Sequence, residues 1–273
     1  MHRLSLAQLT IDDADPFVLI EAAAKAGFDS VGLRVISAPG APARPSVAGN
    51  PGLIARVSEC LAENSVTVLQ VNSFWITPET TAADFPPVLE AGARLGAESV
   101  LVVIGDPDLE RAAARFAACC AAAEPLGIGV ALEFQSYSPV RTVAHALRMI
   151  ETSGYGNASL VVDALHLARS GGRPANLAAV PPERLLFVQL CDAPARTPPT
   201  EALRREARRA RLYPGDGELP LFELMDALPS GVPLDVEAPC ESSAHLSAAE
   251  QARLASEATR LFLERYGRRG RTA

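Results

Sequence analysis

The sequence lacks the features that mark membrane proteins and small disulfide-stabilised domains. It has no apolar run of about 18 residues, the shortest that crosses a bilayer, so we expect no transmembrane helix. The five cysteines are an odd number and include the adjacent pair Cys119 and Cys120, which does not fit a disulfide framework in a chain of 273 residues. The N-terminus has no signal-peptide pattern. These absences predict a protein of the reducing cytoplasm that has no membrane partner.

Several catalytic and binding signatures are also missing. Lys25 is the only lysine and falls in an ordinary predicted helix, which argues against Schiff-base chemistry. The net charge of −7 argues against nucleic acid as a partner, because phosphate binding needs a basic surface. There is no glycine-rich dinucleotide motif, Walker motif, G-x-S-x-G, C-x-x-C or H-E-x-x-H. The chemistry of the chain must therefore be read from other residues.

Short apolar, β-branched-rich runs recur along the whole sequence and predict eight strands. They lie at about 4–9, 29–34, 66–72, 98–104, 128–133, 159–163, 185–190 and 232–237. Segments of helical periodicity separate them, and two of these begin at an N-cap followed by proline, at Asp15-Pro16 and Asn50-Pro51. Regular alternation of this kind predicts βαβ units and a parallel sheet. Eight units in about 250 residues predict an α/β protein with a (β/α)8 TIM barrel.

We expect one domain, because no linker divides the chain. The predicted barrel covers residues 1–264, and the basic segment 265–273 is predicted to be a frayed tail. Two segments interrupt the alternation, at 37–51 after the second strand and at 191–220 after the seventh. Both are loops that follow strands, so both are predicted to lie on the face where barrel active sites occur.

Four polar residues close strands five to eight and predict a metal site. They are Glu133, Asp163, Gln189 and Glu237, each at the end of an apolar run. Because the carboxyl ends of neighbouring parallel strands meet at one face of a barrel, these side chains are expected to converge. Three carboxylates and an amide oxygen suit one divalent cation that prefers oxygen ligands, such as Mg²⁺ or Mn²⁺.

Five further residues are predicted to contact substrate around this point. His166 follows Asp163 by three residues, Asp192 follows Gln189 by three, and Arg211 precedes a Pro-Gly turn in the seventh loop. Arg34 and Asn72 end strands two and three. Three of them have a structural alternative: His166 as a capping or packing residue, Asp192 as an anchor of a loop or of a neighbouring arginine, and Arg211 as a solvated side chain.

These motifs resemble those of the xylose isomerase-like TIM barrels, the sugar phosphate isomerase/epimerase superfamily. The resemblance covers essentially the whole chain and is carried by Glu133, Asp163-x-x-His166, Phe-Val-Gln-Leu-Cys-Asp192, Arg211-x-x-Pro-Gly-Asp-Gly217 and Val-Glu237. It implies one divalent metal, often Mn²⁺, Mg²⁺ or Co²⁺, with Glu133, Asp163 and Glu237 as ligands. It also implies that His166 and Arg211 contact the substrate.

Gln189 departs from the family pattern, in which most members have a histidine ligand. This change resembles the 3-dehydroshikimate dehydratases of the same superfamily. The residues after Glu133, Phe-Gln-Ser-Tyr, and those after Glu237, Ala-Pro-Cys-Glu, do not resemble those enzymes. DNA-repair endonucleases of the superfamily use a histidine-rich trinuclear zinc site, which four histidines and an acidic composition do not fit.

The resemblance implies an enzyme that transfers a proton α to a carbonyl of a small polyhydroxylated substrate. The expected reaction is isomerisation or epimerisation through a metal-stabilised enediolate, with Glu133 and Glu237 as the acid–base pair and His166 on a substrate oxygen. A lyase of the 3-dehydroshikimate dehydratase type is the first alternative. A catalytically idle barrel that binds a sugar-like ligand, or serves as a partner subunit, is the second. A homo-oligomer is left open.

Overall fold

Eight parallel strands close into one barrel in the computed structural model, which describes residues 2–37 and 45–269. The strands follow chain order around the barrel, and β8 pairs with β1. They are Leu4–Ala7 (β1), Ser30–Arg34 (β2), Thr67–Ile76 (β3), Ser99–Ile104 (β4), Gly129–Glu133 (β5), Ala158–Asp163 (β6), Leu185–Leu190 (β7) and Leu234–Val236 (β8). The predicted (β/α)8 barrel is confirmed.

Helices cover the outside of this barrel. They are Pro16–Lys25 (α1), Pro51–Asn64 (α2), Phe85–Arg94 (α3), Leu109–Ala123 (α4), Val143–Ser153 (α5), Ala164–Arg169 (α6), Leu203–Arg209 (α7), Leu221–Asp226 (α8) and Ala248–Arg269 (α9). The two predicted N-caps are present, since Asp15 accepts from the amide of Val18 and Asn50 accepts from that of Leu53. None of the helices within the described ranges has the length and apolar character needed to cross a membrane.

Several boundaries differ from the sequence predictions, since β1 ends at Ala7 and not at about residue 9, and β8 covers only Leu234–Val236. Helix α9 continues through Arg269, so residues 265–269 of the predicted tail are helical, and 270–273 lie outside the described residues. Strand β3 runs to Ile76, so Asn72 lies within the strand rather than at its end. The apolar residues that follow Asn72 continue the strand because they pack: Phe74 contacts Phe85 edge to face outside the barrel, and Trp75 packs against the interior cluster.

The inside of the barrel is apolar in its middle and polar towards the carboxyl ends of the strands. The interior cluster consists of Leu69, Leu101, Val103, Ala131, Val161 and Phe187. Side chains alternate between the two faces of a strand, so the residues two places beyond Ala131, Val161 and Phe187 also point inward. Those residues are Glu133, Asp163 and Gln189, and Glu237 directly follows β8. Strand alternation therefore delivers all four predicted metal ligands to one end of the barrel.

The packing of α4 on the barrel gives a test of the fold. Phe116 on α4 is fully buried, whereas Leu109 on the same helix is 46% exposed. Phe116→Ala should lower the free energy of unfolding by about 3–5 kcal/mol, because it leaves a cavity in the core. Leu109→Ala should change it by less than about 0.5 kcal/mol. Urea denaturation followed by circular dichroism measures both, and equal effects would contradict the described burial of α4.

Candidate active site

A buried arginine bridges two of the four strand-end residues. Arg211 is 2% exposed, and its Nη1 donates to Oδ2 of Asp163 at 2.5 Å while its Nη2 donates to Oε2 of Glu237 at 3.0 Å. Its Nε donates to the carbonyl of Ala207 at 2.7 Å. One guanidinium thus joins the end of β6, the residue after β8 and the C-terminal turn of α7.

This arrangement changes the role predicted for Arg211. The side chain lines the pocket, as expected of a substrate-binding residue, but its nitrogen atoms are engaged by protein acceptors. Nη1 also lies 3.3 Å from the sulfur of Cys191, whose pKa burial raises to about 12. Arg211 therefore acts on Asp163 and Glu237, whose orientation it fixes. Sequence alone could not show this, because the contacts span 48 and 26 residues.

The spacing Asp163-x-x-His166 is explained by a helix start. Asp163 is the N-cap of α6, and its Oδ1 accepts from the amide of His166 at 2.9 Å. A carboxylate at an N-cap commonly binds the amide three residues on, which places His166 in the first turn above the strand. Burial alone raises the pKa of the Asp163 carboxyl, but Arg211 and this amide hold it below its ordinary value. Asp163 is therefore ionised at neutral pH.

His166 is buried as a neutral imidazole beside Glu133. Its Nε2 lies 3.7 Å from Oε1 of Glu133, and its Nδ1 lies 3.4 Å from Oγ of Ser136. Burial lowers the pKa of His166 to about 4, although the charge of Asp163 opposes this. The ring meets that of Tyr137 edge to face, with centroids 5.3 Å apart. A neutral imidazole can accept a proton, bind a substrate hydroxyl or ligate a metal.

Of the three carboxyls in the site, Glu133 has the weakest contacts that would stabilise its negative charge. Burial raises its pKa well above the ordinary range, and the negative charges of Glu237 and Asp163 raise it further. Among the described residues, Nε2 of Gln135 is the one hydrogen-bond donor to this carboxylate, at 3.0 Å from Oε2. Gln135, two residues beyond Glu133 in the loop after β5, was not singled out from the sequence. Its position in the same inward-facing alternation could have revealed it.

The backbone around Glu237, which directly follows β8, is held by the hydroxyl of Thr10, a residue of the short turn Gln8–Ile11 after β1. Thr10 Oγ1 donates to the carbonyl of Val236 at 2.8 Å and accepts from the amide of Ala238 at 2.9 Å. These two bonds fix the backbone on both sides of Glu237. Burial raises the pKa of Glu237 to about 7, and the Arg211 charge opposes the rise.

Gln189 has a buried oxygen that lacks a donor. In strand register it lies between Asp163 on β6 and Asp235 on β8, and the residue is 1% exposed. Its Oε1 accepts no hydrogen bond from the described residues. A buried amide oxygen without a partner costs about 1–3 kcal/mol. An unpaired oxygen beside Asp163 in strand register suits a metal ligand.

The residues of the site fit a divalent cation. When all three are ionised, Glu133, Asp163 and Glu237 carry three negative charges, and within the described residues Arg211 is the one guanidinium bonded to any of them, so two of the charges have no bonded counter-charge. Ligand atoms of Glu133, Asp163 and His166 lie within 4.8 Å of one another. His166 is thus a possible ligand that the sequence did not suggest, whereas Glu237 Oε2 is turned to Arg211.

The remaining predicted substrate residues are Arg34, Asn72 and Asp192. Arg34 and Asn72 line the same pocket as Glu133, His166 and Glu237, as expected. Arg34 is additionally paired with Asp12, with Nη2 and Oδ1 2.8 Å apart.

Asp192 does not line this pocket, which corrects its prediction as a substrate-binding residue. Its Oδ1 accepts from the amides of Ala193 and Leu219 at 2.8 and 2.9 Å, and its Oδ2 accepts from that of Gly215 at 3.1 Å. Both oxygens are used to hold the loop. A Cβ on Gly217 would lie 2.5 Å from Asp192 Oδ1, which explains a glycine there. Asp192 is the loop anchor that the sequence left as its alternative.

Comparison with known protein families identifies the class of barrel to which this chain belongs. Residues 20–264 match the model of the xylose isomerase-like TIM barrel family. This match covers most of the chain, and the protein belongs to that family. No curated protein sequence matches the chain.

Solved structures share the fold at low sequence identity. The IolI protein with a bound zinc atom has a TM-score of 0.80 and 18% identity, over 97% of this chain and 99% of that one. The probable 3-DHS dehydratase AsbF from Bacillus anthracis has a TM-score of 0.73 and 12% identity, over 94% and 98%. The D-psicose 3-epimerase of Clostridium cellulolyticum H10, solved with D-tagatose, has a TM-score of 0.68 and 15% identity, over 96% and 98%. At these identities the similarity shows a common fold.

The raised pKa of Glu237 predicts how the stability of the chelator-treated protein depends on pH. The pKa is about 7 in the folded protein against an ordinary value of 4.5, so folding favours the protonated carboxyl. This contribution is fully present below about pH 4.5 and is lost as the pH rises through about 7. The melting temperature should therefore fall between pH 5 and pH 8, and the fall should be smaller in Glu237→Gln. An equal fall in both proteins would contradict the assignment.

Proposed function

We propose that this protein is a divalent-cation-dependent enzyme that transfers a proton α to a carbonyl of a small polyhydroxylated substrate, as an isomerase or epimerase. The observation that carries the proposal is the buried group of three carboxylates with one compensating guanidinium and a Gln189 oxygen that lacks a donor. Burying such charge without a cation is costly. Its place at the carboxyl ends of the strands is where barrel enzymes have their active sites.

Glu133, Asp163, Gln189 and Glu237 are the proposed ligands. Oxygen donors favour Mn²⁺ or Mg²⁺, with Co²⁺ as a further possibility, and His166 is near enough to Glu133 to join them. The zinc atom described for the IolI protein supports a divalent cation in a barrel of this fold. When bound, such a cation polarises a substrate carbonyl and stabilises the negative charge that develops on its oxygen.

The chain's own residues supply the proton transfer. Glu133 ends β5 and Glu237 follows β8, so the two carboxyls approach a substrate from different sides of the barrel. The pKa of Glu237 is raised to about 7, so this carboxyl can hold or release a proton near neutral pH, and burial also raises the pKa of Glu133 above its ordinary value. Neutral His166 accepts or donates a hydrogen bond at a substrate oxygen. Arg211 keeps Asp163 and Glu237 in place.

A lyase of the dehydratase type is the second candidate, and Gln189 is the residue that favours it. An amide replaces the histidine ligand expected of most family members, as in the 3-dehydroshikimate dehydratases that the sequence resembles. The fold shared with AsbF is compatible with that reaction. In this case one of the same carboxylates removes the α-proton and returns it to the β-hydroxyl, which leaves as water while hydrogen-bonded to neutral His166. A catalytically idle barrel is disfavoured, because a sugar-binding protein gains nothing from burying three carboxylates.

Metal binding tests the site directly. Calorimetric titration with Mn²⁺ should show one site per chain, and Mn²⁺ should raise the melting temperature. Glu133→Gln and Gln189→Leu should each weaken binding by at least about tenfold, because the first removes a negative charge and the second removes an oxygen ligand. Glu98→Gln, at the opposite end of the barrel beside Arg3, is the matched control and should bind normally. If Mn²⁺ neither binds nor stabilises the wild type, only the idle-barrel alternative survives.

Proton exchange tests the reaction. With Mn²⁺ bound, the protein in D₂O should exchange the proton α to the carbonyl of a ketose or aldose substrate, followed by NMR across a substrate panel. Glu133→Gln and Glu237→Gln should slow exchange by about 10²–10⁴-fold, because each removes a proton-transferring group. Normal exchange in either variant would show that the acid–base pair is wrong.

The absorbance of protocatechuate on incubation with 3-dehydroshikimate separates the two reactions. Its appearance would replace the isomerase assignment by the lyase. No change in absorbance, with metal-loaded and otherwise active protein, would remove the lyase.

A further inference from the structure

Arg208 is a half-buried cation in the wall of the candidate active site with no partner among the described residues. It lies between two cavities: it lines the same pocket as Glu133, His166 and Glu237, and it also lines the neighbouring cavity that contains Asp15 and Glu241. No carboxylate or carbonyl of residues 2–37 or 45–269 lies within bonding distance of its guanidinium. The buried arginines nearby differ: Arg211 bridges two carboxylates and Arg169 holds one. An unpaired guanidinium that faces a pocket is available to a ligand.

The position of Arg208 is fixed by its neighbours on α7. Glu206 accepts two hydrogen bonds from Arg169, at 2.9 Å from Nε and 2.8 Å from Nη2. The carbonyl of Ala207 accepts from Nε of Arg211. The two residues before Arg208 are thus tied to α6 and to the carboxylate cluster, so its backbone is held at the wall. A binding group on a fixed backbone has less conformational freedom to lose when a ligand binds.

The surroundings of Arg208 suit a carboxylate better than a phosphate. It lies in the last turn of α7, where the helix dipole presents its negative end and offers no backbone N–H groups. A phosphate site usually combines several donors with a helix N-terminus, as this place does not. A single guanidinium matches the charge and planar shape of one carboxylate, which it binds through two parallel hydrogen bonds.

We propose that Arg208 binds a carboxylate carried by the substrate, so that the substrate is a polyhydroxylated carbonyl compound with one acidic group. This inference rests on the proposed function only in taking the pocket as the substrate site. The carboxylate lies at Arg208, and the reacting carbonyl lies at the cluster of Glu133, Asp163 and Glu237. Because Arg208 is the guanidinium of this wall that is unpaired within the described residues, the acidic group sets the direction in which the substrate binds.

The proposed carboxylate site narrows the substrates for both candidate reactions. A neutral ketose or aldose leaves Arg208 without a partner in a half-buried place, whereas an acidic substrate pairs it. The lyase substrate considered above, 3-dehydroshikimate, carries one carboxylate, and so does a uronic acid in the isomerase case. Substrates of either kind are favoured over neutral sugars and over sugar phosphates.

Two pairs of compounds that differ in one charged group test the proposal. The pairs are shikimate with its methyl ester, for the lyase case, and D-glucuronate with D-glucose, for the isomerase case. Calorimetry with Mn²⁺-loaded wild-type protein should show, in at least one pair, that the acidic member binds about tenfold or more tightly. Arg208→Met should abolish this preference, and Arg208→Lys should keep part of it. Arg204→Met, an exposed arginine one turn earlier on α7, should leave it unchanged.

Two results would overturn the proposal: no preference for the acidic member of either pair in the wild type, or a preference that survives Arg208→Met. Melting curves of each variant show that it is folded. The Mn²⁺ titration keeps this test separate from the proposed function. An Arg208-dependent preference in a protein that binds no Mn²⁺ would leave the carboxylate site standing and remove the metal enzyme. Mn²⁺ binding without the preference would leave the metal enzyme standing and remove the carboxylate site at Arg208.

Discussion

The ion pairs of Arg211 with Asp163 and Glu237 are the interaction on which the mouth of this barrel depends. They join elements that are distant in sequence, and all three side chains are buried. Losing the guanidinium would leave buried carboxylates uncompensated, which is far costlier than losing an exposed ion pair. The same guanidinium supplies only one positive charge. The remaining negative charge is what makes the site a place for a cation rather than a stabilised core.

The pKa values of Glu133, Asp163 and Glu237 differ because Arg211 is bonded to Asp163 and Glu237 and not to Glu133. Asp163 receives Arg211 and a backbone amide and is held ionised, whereas Glu133 receives only an amide side chain and has a strongly raised pKa. Glu237 lies between, with a pKa of about 7. Three chemically similar carboxyls thus have different proton affinities. A site that moves protons needs such a difference, because one group must give a proton that another holds.

Much of the fold was predictable from the sequence, because its signals are local. Short apolar runs and proline-containing N-caps predicted the strands and helices. The meeting of parallel strand ends at one face of a barrel predicted that Glu133, Asp163, Gln189 and Glu237 would converge. Contacts that close over long sequence distances were not predictable. The bonds of Arg211 and the loop-anchoring bonds of Asp192 depend on how the seventh loop folds back, and no periodicity encodes that path. Arg208 could not be singled out from the many arginines of the sequence, because only the structure distinguishes a paired guanidinium from an unpaired one.

The location of the cation tests the central claim most directly. A crystal of the protein soaked in Mn²⁺, measured near the manganese absorption edge, gives an anomalous difference map that marks the metal without assumptions about the reaction. We expect one strong peak at the carboxyl ends of the strands, within coordination distance of Glu133, Asp163 and the Oε1 atom of Gln189. A map with no peak there, or with peaks only at surface carboxylates, would contradict the account.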